Sequence, residues 1–310
     1  MSNIVNKKVL ITGSSGFVGS NVFREFIDLG YEVVGVNRAK HTNSHVLLDI
    51  SGDTDWLDIL DGVDIVIHCA AEVHQMNLNE KVQNSYQQVN VDGTLNLAEQ
   101  AKNTVKRFIF LSTVKVNGEQ TFKEPFFADD NPKPKDPYSI SKERAEAGLR
   151  KIAQFSKMEV VIIRPPLVYG PNPKGNLEKL ITLLKWKIPL PFGSVNFNSR
   201  SYVYIGNLTD FIFICSTRAE AVNETFFISD DADLNTADVI ALLAKVLAIK
   251  TIILPVPELI LKSLFKIFRK KDLETRLLGN LCVDVTKNKE LLGWKPKYSV
   301  EEGFHRSFKK

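Results

Sequence analysis

Short apolar runs alternate with longer amphipathic stretches along the first half of the chain. Between Phe17 and Ile27 the apolar residues recur at helical spacing, and Gly30 ends that stretch. Each apolar run is short enough for a buried strand, and turn residues or an amphipathic stretch follow it. The runs lie at 9–11, 33–36, 46–48 and 65–67. Strands that alternate with helices predict a parallel sheet with helices on both of its faces.

The alternation continues to Arg164 and then breaks. Pro165-Pro166 and further proline-rich turns open a mixed region. Residues 225–229 are apolar enough to return one strand to the first sheet. Before the break we expect helices at 84–102 and 137–155 and strands at 107–111 and 160–163; after it we expect helices near 177–186, 207–216, 236–248 and 258–268.

The predicted fold class is therefore α/β. A Rossmann-like doubly wound parallel sheet would occupy residues 1–165, and a smaller mixed α/β substrate-binding lobe would occupy residues 166–310. Because of the returning strand near 225–229, the boundary between the two is expected to be interleaved.

A glycine-rich turn lies between the first strand and the first helix. Gly13, Gly16 and Gly19 follow one another at intervals of three residues. Glycines let the backbone approach a pyrophosphate, and the free N–H groups of the helix attract the anion. In this strand–turn–helix context the pattern predicts a site for NAD or NADP.

The end of the second strand bears on the choice between those two cofactors. An acid there would bind a ribose diol and repel a 2′-phosphate, but the chain has Asn37 and Arg38. The planar fork of Arg38 suits a phosphate, which favours NADP, although an exposed loop arginine is the plainer alternative. Asn37 can still bond an unphosphorylated ribose. Asp49 would accept from the adenine amino group or cap a helix.

Tyr138 and Lys142 lie four residues apart in a predicted helix, so they share one face. A nearby ammonium favours a phenolate, and we therefore expect a lowered pKa for Tyr138. Such a tyrosine serves as a general acid or base near neutral pH. Thr113 closes the preceding strand, where its hydroxyl would bond a substrate oxygen; taken alone, it is also an ordinary strand-ending residue.

Composition narrows the classes of protein. The 310 residues carry a formal net charge of +4, which does not indicate nucleic-acid binding. No metal-ligand spacing occurs among the five histidines (His41, His45, His68, His74 and His305) or the three cysteines, so no metal site is expected. A polar start and the lack of a long apolar run predict a cytoplasmic protein without a membrane span.

Residues 259–271 form an amphipathic stretch that bears several cations. Such a helix can rest on an anionic membrane surface. Packing on the protein's own core or on a partner is the reading we prefer from the sequence.

Taken together, these motifs resemble the extended short-chain dehydrogenase/reductase family of nucleotide-sugar epimerases, dehydratases and reductases. The resemblance covers essentially the whole chain. It is carried by the glycine-rich turn, Ser112-Thr113, Tyr138-x-x-x-Lys142 and the segment 164–171, which stand in the family's order. The stretch 110–119 looks closest to a bacterial subgroup of UDP-glucose 4-epimerase-like proteins and 4-reductases that make 6-deoxyhexoses for surface polysaccharide.

The resemblance implies a role for each matching residue. Thr113, Tyr138 and Lys142 would be catalytic, and Thr113 would also contact the substrate. The cofactor would contact Gly13, Ser15, Gly16, Phe17, Val18, Arg38, Asp49, Ile50, Ala70, Ala71, Asn90, Tyr138, Lys142, Pro165 and Leu167. The substrate diphosphate would contact Asn176, Leu177, Arg200 and Arg276, the last a looser match because its distance from Asp284 differs from the family pattern.

Departures from the family pattern restrict the reaction. The 4,6-dehydratases carry two acids after the threonine, where this chain has Val114 and Lys115, so dehydration is not expected. The missing acid after the second strand favours reduction of a UDP-4-keto-6-deoxy-N-acetylhexosamine. The alternative is a UDP-hexose (glucose or N-acetylglucosamine) 4-epimerase, and a further one is a dehydrogenase of a non-nucleotide substrate. A homodimer through the helices at 84–102 and 137–155 is implied by the resemblance alone.

Overall fold

The computed structural model describes residues 7–38, 45–73, 80–173 and 175–309. His41 and His74, which the sequence assigns to no site, lie outside these ranges. Within them, no helix is both long and apolar enough to pass through a bilayer.

A seven-stranded parallel sheet forms the centre of the fold. Its strand order is β3-β2-β1-β4-β5-β6-β9, and a second sheet pairs β7 with β8. The strands are β1 Lys8–Thr12, β2 Glu32–Asn37, β3 His45–Leu47, β4 Val63–His68, β5 Arg107–Leu111, β6 Glu159–Arg164, β7 Leu167–Tyr169, β8 Tyr202–Tyr204 and β9 Thr225–Phe227.

Helices connect these strands and also build the second lobe. In the described residues they are α1 Phe17–Asp28, α2 Leu57–Leu60, α3 Glu80–Ser85, α4 Thr94–Ala101, α5 Pro137–Gln154, α6 Asn176–Lys185, α7 Ile205–Thr217, α8 Thr236–Val246, α9 Glu258–Ile267, α10 Lys271–Leu278, α11 Thr286–Leu292 and α12 Val300–Phe308. The predicted α/β class, a doubly wound parallel sheet, is confirmed.

The sheet buries both of its faces because successive side chains of a strand point in opposite directions. Val9 and Ile11 of β1 belong to one apolar cluster together with residues of α1 and α7. Leu10, between them, belongs to the opposite cluster together with residues of α4 and α5. This two-sided burial explains why the strands read as continuous apolar runs.

The single helix expected over 84–102 is interrupted. A π-helical segment, Tyr86–Gly93, lies between α3 and α4. Gly93 packs against Ile50 so closely that a Cβ there would lie 2.7 Å from Ile50 Cγ2. Hydrophobic periodicity does not distinguish a π turn from an α turn, so the interruption cannot be predicted from the sequence pattern.

The last strand of the large sheet comes from late in the chain. β9 pairs in parallel with β6, so residues 225–227 extend the sheet built mainly from the first half of the sequence. The chain after residue 165 also builds β7, β8 and helices α6 to α12. The division at residue 165 stays a prediction.

A buried ion network fastens α5 to the sheet. The guanidinium of Arg164, at the end of β6, donates to both carboxylate oxygens of Glu146, and Ser112 donates to one of them. Arg150 donates to Glu146 Oε2 at 3.0 Å. Burial alone would raise the pKa of Glu146, but the hydrogen bonds and charge of Arg164 hold it below its ordinary value.

Glu146→Gln removes the negative charge while it keeps the size of the side chain. Because Arg164 would then be buried without a full counter-charge, we expect the free energy of unfolding to fall by about 3 to 5 kcal/mol. Urea denaturation of the purified variant measures this change. Asp129→Asn, which breaks an exposed pair with Lys287, is the control and should cost less than about 1 kcal/mol. Equal effects of the two substitutions would contradict the prediction.

Candidate active site

The candidate site lies where the strand order reverses, beyond the carboxyl ends of β1 and β4. In doubly wound sheets this crevice is the usual place for a ligand. The glycine-rich turn follows β1, and residues 69–73 follow β4. Both segments therefore reach the same edge of the sheet.

The glycines form a tight cradle at the start of α1. Gly13 has φ +66°, and a Cβ there would lie 2.8 Å from Ala70 Cα. A Cβ at Gly19 would lie 2.2 Å from Gly13 O. Larger residues would push the turn away from β4 and from its own helix.

Polar atoms in this cradle are left without protein partners. Asn37 Oδ1 accepts from the Ser15 backbone N–H at 2.7 Å, which ties the end of β2 to the turn. Asn37 Nδ2 and Ser14 Oγ are buried and have no hydrogen-bond partner among the described residues. The first residues of α1, Phe17 and Val18, follow Gly16, which caps the helix without a side-chain bond. Orphaned polar atoms beside a free helix N-terminus fit a dinucleotide.

The residues expected at the adenosine lie at the rim. Arg38 is exposed, and its Nη1 atom lies 3.6 Å from Glu72 Oε2. Asp49 is also exposed and accepts from the backbone N–H of Ile50, which is buried. Arg38 thus has an acidic neighbour, and its position does not decide between NAD and NADP.

A chain of hydrogen bonds braces the ends of β1 and β4. Thr12 Oγ1 lies 2.8 Å from His68 Nδ1, and Thr94 Oγ1 lies 3.0 Å from His68 Nε2. Thr94 donates its hydroxyl proton to Asn90 O, so His68 carries its proton on Nε2 and accepts at Nδ1 from Thr12. Burial, followed by the charge of Lys142, lowers the pKa of His68 to about 3. The imidazole is therefore neutral, and it links the end of β4 to the end of β1 and to the start of α4.

Asn90 joins the loop after β4 to helix α5. Its Oδ1 atom accepts from the Glu72 N–H, and its Nδ2 atom donates to Glu72 O and to Ser141 Oγ. Ser141 in turn donates to Tyr138 O. Ala70 and Ala71 lie in the loop that Asn90 holds. Asn90 therefore positions both the loop and the first turns of α5.

Tyr138 and Lys142 both lie on α5, one helical turn apart, and Thr113 lies two residues after the end of β5. Thr113 Oγ1 accepts from the Lys115 N–H at 3.3 Å and begins a short 3₁₀ turn. The ring of Tyr86 lies 6.2 Å from that of Tyr138 in an edge-on arrangement. The structure thus places the phenol, the ammonium and the threonine hydroxyl at one end of the sheet.

The expected lowering of the Tyr138 pKa is wrong for the protein alone. Burial raises this pKa, and the charges of Asp136 and Tyr86 raise it further. Lys142 is not among the groups that shift it. The sequence showed the i, i+4 spacing but not the degree of desolvation, which outweighs it here.

The ammonium of Lys142 lies over the ring of Phe110, 3.9 Å from its centre. Lys142 is almost fully buried. Burial lowers its pKa to about 7, against an opposing effect of Glu146, one turn further along α5, and of Cys69. Lys142 therefore changes its charge near neutral pH.

Lys115 occupies the position at which the dehydratases carry an acid. Its Nζ atom forms an ion pair with Asp136. Asp136 caps α5 by accepting from the Ser139 N–H, and Ser139 returns a bond to the Asp136 N–H. Lys115 is thus engaged with the cap of the helix that carries Tyr138.

The residues expected at the nicotinamide and the diphosphate come from the second lobe. Pro165 and Leu167 lie between β6 and the start of β7. Asn176 and Leu177 begin α6, and Leu177 is buried. Arg200 Nη1 donates to Thr275 O and Gly279 O at the end of α10, while Arg276 is exposed nearby and lowers the pKa of Arg200 by repulsion, after burial. Arg200 thus holds α10, and a diphosphate role for it stays a prediction.

The sequence motifs do not identify several residues that hold the site together. The sequence predicts no ligand role for His68, only that of a structural or solvent residue, because a lone histidine in an apolar strand matches no motif. Ser141 lies inside the Tyr-x-x-x-Lys spacing but gives no pattern of its own. Glu146, at i+4 from Lys142, was visible as a possible helix-face partner. In the described ranges, no group of three or more potential metal ligands occurs.

Several known proteins are similar to this chain in sequence. A model of the NAD dependent epimerase/dehydratase family matches residues 9–228. A UDP-glucose 4-epimerase of Vibrio cholerae is 43% identical over 309 residues, which cover 97% of this chain and 94% of that protein. The N-acetyl-α-D-glucosaminyl-diphospho-ditrans,octacis-undecaprenol 4-epimerase of Escherichia coli O157:H7 is 32% identical over 249 residues, or 76% of this chain and 71% of that protein.

Solved structures share the fold. The UDP-glucuronic acid 4-epimerase of Bacillus cereus in complex with NAD has a TM-score of 0.78 and 21% identity, with 97% of each chain covered. The UDP-glucose 4-epimerase of Thermotoga maritima with UDP-glucose has a TM-score of 0.77 and 24% identity, also with 97% of each chain covered. At this identity the likeness concerns the fold alone.

The low pKa of Lys142 makes stability depend on pH. Between about 7 in the folded protein and 10.5 in the unfolded chain, only the unfolded chain holds the proton, so stability rises with pH across this window. For nucleotide-free protein we expect the unfolding free energy of the wild type, relative to Lys142→Met, to rise by about 2 kcal/mol from pH 7.5 to 9.5. Urea denaturation across this range measures the difference.

Lys102→Met is the matched control, since it removes an ammonium that lies outside the core. Its profile should follow that of the wild type. Parallel profiles for the wild type and Lys142→Met would show that Lys142 does not titrate in this window.

Proposed function

The chain belongs to the NAD-dependent epimerase/dehydratase family of enzymes, and from this membership we propose that it is a UDP-hexose 4-epimerase. The carrying observation is the 43% identity with the Vibrio cholerae UDP-glucose 4-epimerase over nearly the whole of both chains. Tyr138, Lys142 and Thr113 at one end of the sheet supply the required proton-transfer groups. The acids of a dehydratase are absent after Thr113, where Val114 and Lys115 stand instead.

Tyr138 would take the proton of the sugar's 4-hydroxyl and return it after the 4-keto sugar has turned over. NAD, when bound, supplies the hydride acceptor and a positive charge that favours the phenolate. Thr113 would donate a hydrogen bond to the same sugar oxygen. Lys142, fixed over Phe110, would bond the nicotinamide ribose and face Tyr138. The proton taken from the 4-hydroxyl oxygen and the hydride taken from C4 would both be returned, so the reaction balances without an external reductant.

For the cofactor we propose NAD retained through each turnover. Asn37 directs its Oδ1 atom to the glycine-rich turn, and its buried Nδ2 atom has no hydrogen-bond partner in the part of the chain that the structure describes. That amide donor suits a ribose hydroxyl. Arg38 lies near Glu72, whose carboxylate would oppose a 2′-phosphate. The preference for NADP stays a sequence-based prediction, which the released nucleotide tests directly.

Reduction of a UDP-4-keto-6-deoxy-N-acetylhexosamine is the second candidate. It is favoured by Arg38 and by the lack of an acid at the end of β2. Tyr138 would then protonate the alkoxide that forms at C4, and NADPH would be consumed in each turnover. The two reactions use the same residues, so the fate of the cofactor separates them.

In both proposed reactions the substrate is a sugar joined to a diphosphate group. The Escherichia coli relative is named for a sugar linked through diphosphate to undecaprenol rather than to a nucleoside. Asn176, Leu177, Arg200 and Arg276 are the proposed diphosphate contacts, and they would serve both carriers equally. We propose the UDP-sugar, because the Vibrio cholerae relative matches more of the chain.

We also propose a homodimer through α4 and α5. The two helices pack closely, since a Cβ at Gly148 would lie 2.5 Å from Leu95 Cδ2. A shallow groove at the same place is lined by Leu95, Gly148, Ile152 and Phe155, together with the charged residues Glu99, Lys102 and Lys151. Phe155 is largely exposed at its end. A second copy would cover this apolar groove.

Tyr138→Phe should abolish most of the turnover of UDP-glucose to UDP-galactose. Loss of a positioned acid–base group costs about 10²- to 10⁴-fold. A coupled assay on purified enzyme measures the rate. Tyr86→Phe, which removes a neighbouring hydroxyl, should retain most of the activity. Near-wild-type turnover of Tyr138→Phe would rule out the mechanism for both candidates.

The nucleotide released by denaturing fresh protein distinguishes the two candidates. Stoichiometric NAD, with interconversion of UDP-hexoses and no added cofactor, is the outcome expected for the epimerase. Empty protein that binds NADPH far better than NADH would instead support the reductase.

Phe155→Glu should convert the proposed dimer to a monomer, because it places a charge in the apolar groove between copies. Light scattering after gel filtration measures the mass. Phe122→Glu is the control, since Phe122 is equally exposed but lies outside α4 and α5. A dimer that survives Phe155→Glu, or a wild-type monomer, would contradict this interface.

A further inference from the structure

Helix α9 presents most of its apolar side chains to solvent. Leu261 is its only buried residue. Leu259 is 79%, Ile267 72% and Phe268, just after the helix, 66% exposed. Only the inner side of α9 therefore packs on the core, and the other part of the preferred sequence interpretation, packing on a partner, stays a prediction. Such a contiguous apolar surface on a soluble domain marks an interaction site.

We propose that residues 259–271, here called the α9 surface, rest on an anionic lipid bilayer. Ile260, Leu264 and Ile267 recur at i, i+4 and i+7 and so form an outward apolar stripe. Lys262, Lys266, Arg269, Lys270 and Lys271 supply five cations in this segment, which contains no acid. Bulky apolar residues beside a basic face are the features of a helix that lies in a membrane interface.

The charges favour lipid over a protein partner as the occupant. Each lysine or arginine near an anionic leaflet adds to the electrostatic attraction between the protein and the lipid. Lys262 pairs with Glu258 at the start of α9, and no ion pair engages Lys266, Arg269, Lys270 or Lys271 among the described residues. Cations spread along the length of an apolar stripe suit a plane of headgroups.

A second exposed segment has the same character. Trp186 is 68% exposed and stands between Lys185 and Lys187, followed by exposed Ile188. Leu190 joins this segment to another exposed apolar stretch, since its N–H donates to Ile252 O and its carbonyl accepts from the Leu254 N–H. Tryptophan flanked by lysines is typical of membrane–water interfaces. We place residues 185–188 in the same contact.

The α9 surface is attached firmly to the second lobe. Leu261 packs with Val195 and with Leu278 of α10. The last carbonyls of α10 are in turn held by Arg200. A bilayer that binds α9 would therefore hold the whole lobe at the lipid surface. This inference does not depend on the proposed epimerase activity.

Vesicle flotation of the full-length protein tests the proposal. Phosphatidylcholine vesicles with 30% phosphatidylglycerol should carry the wild type at low salt, and binding should weaken at about 0.5 M salt because the charges are screened. Pure phosphatidylcholine should carry far less. No flotation with the anionic vesicles, or equal flotation with neutral ones, would overturn the proposal.

Two double variants, each with a control substitution elsewhere, test the α9 surface. The double change Ile267→Glu and Phe268→Glu should reduce binding about tenfold or more, since both side chains lose their burial in lipid. Leu57→Glu, at the 64% exposed Leu57 of α2, is its control. Lys266→Glu with Lys270→Glu should abolish the dependence on anionic lipid, with Lys106→Glu as control. Unchanged flotation of the α9 variants would overturn the proposal.

Tryptophan fluorescence gives a second readout. Of the three tryptophans, Trp56 and Trp294 are buried, so Trp186 reports on the surface. Anionic vesicles should shift its emission to the blue and protect it from acrylamide, and Trp186→Phe should remove the shift. An unchanged spectrum would overturn the placement of residues 185–188 in the contact.

Activity and oligomeric state complete the test. The α9 variants should keep wild-type turnover of UDP-sugars in solution, so loss of vesicle binding is distinguishable from failure of the proposed function. If the wild type forms a larger oligomer than the α9 variants without lipid, the surface binds protein and the proposal is wrong.

Discussion

The ion pair between Glu146 and Arg164 determines where helix α5 lies on the sheet. Arg164 ends β6, and Glu146 lies in the middle of α5, so the pair fixes the helix against a strand that is itself buried. Lys142 lies one turn before Glu146, and Tyr138 lies one turn before Lys142. A displacement of this pair would therefore move the ammonium and the phenol together. Catalysis that depends on hydrogen-bond distances tolerates little such movement.

Three groups of hydrogen bonds connect the other segments around the site. Asn90 bonds the loop after β4 to Ser141 of α5, His68 bonds β4 to Thr12 and Thr94, and Asn37 bonds β2 to the glycine-rich turn. Each group of hydrogen bonds joins segments that are far apart in sequence but end at the same edge of the sheet. Buried hydrogen bonds of this kind specify one arrangement, because a shifted loop would leave donors and acceptors unpaired.

The sequence predicted the fold class and the identity of the central groups because both depend on local patterns. Apolar runs define the strands, and the spacing of Tyr138 and Lys142 defines a shared helical face. The π-helical turn at 86–93, the neutral role of His68 and the raised pKa of Tyr138 depend on contacts between distant segments, which no local pattern contains. Solvent exposure also depends on contacts between distant segments. The sequence shows that residues 259–271 are amphipathic, but it does not show which side of this helix the protein leaves exposed.

The burial of Cys69 beside Lys142 determines how reactive its thiol is. Cys69 follows β4 at the edge of the cradle, and desolvation raises its pKa to about 12 despite the opposing charge of Lys142. The thiolate is the form that reacts with oxidants and alkylating agents. At neutral pH this cysteine is almost entirely protonated, so the protein carries a sulfhydryl beside its proposed hydride-transfer site without the reactivity of a redox sensor.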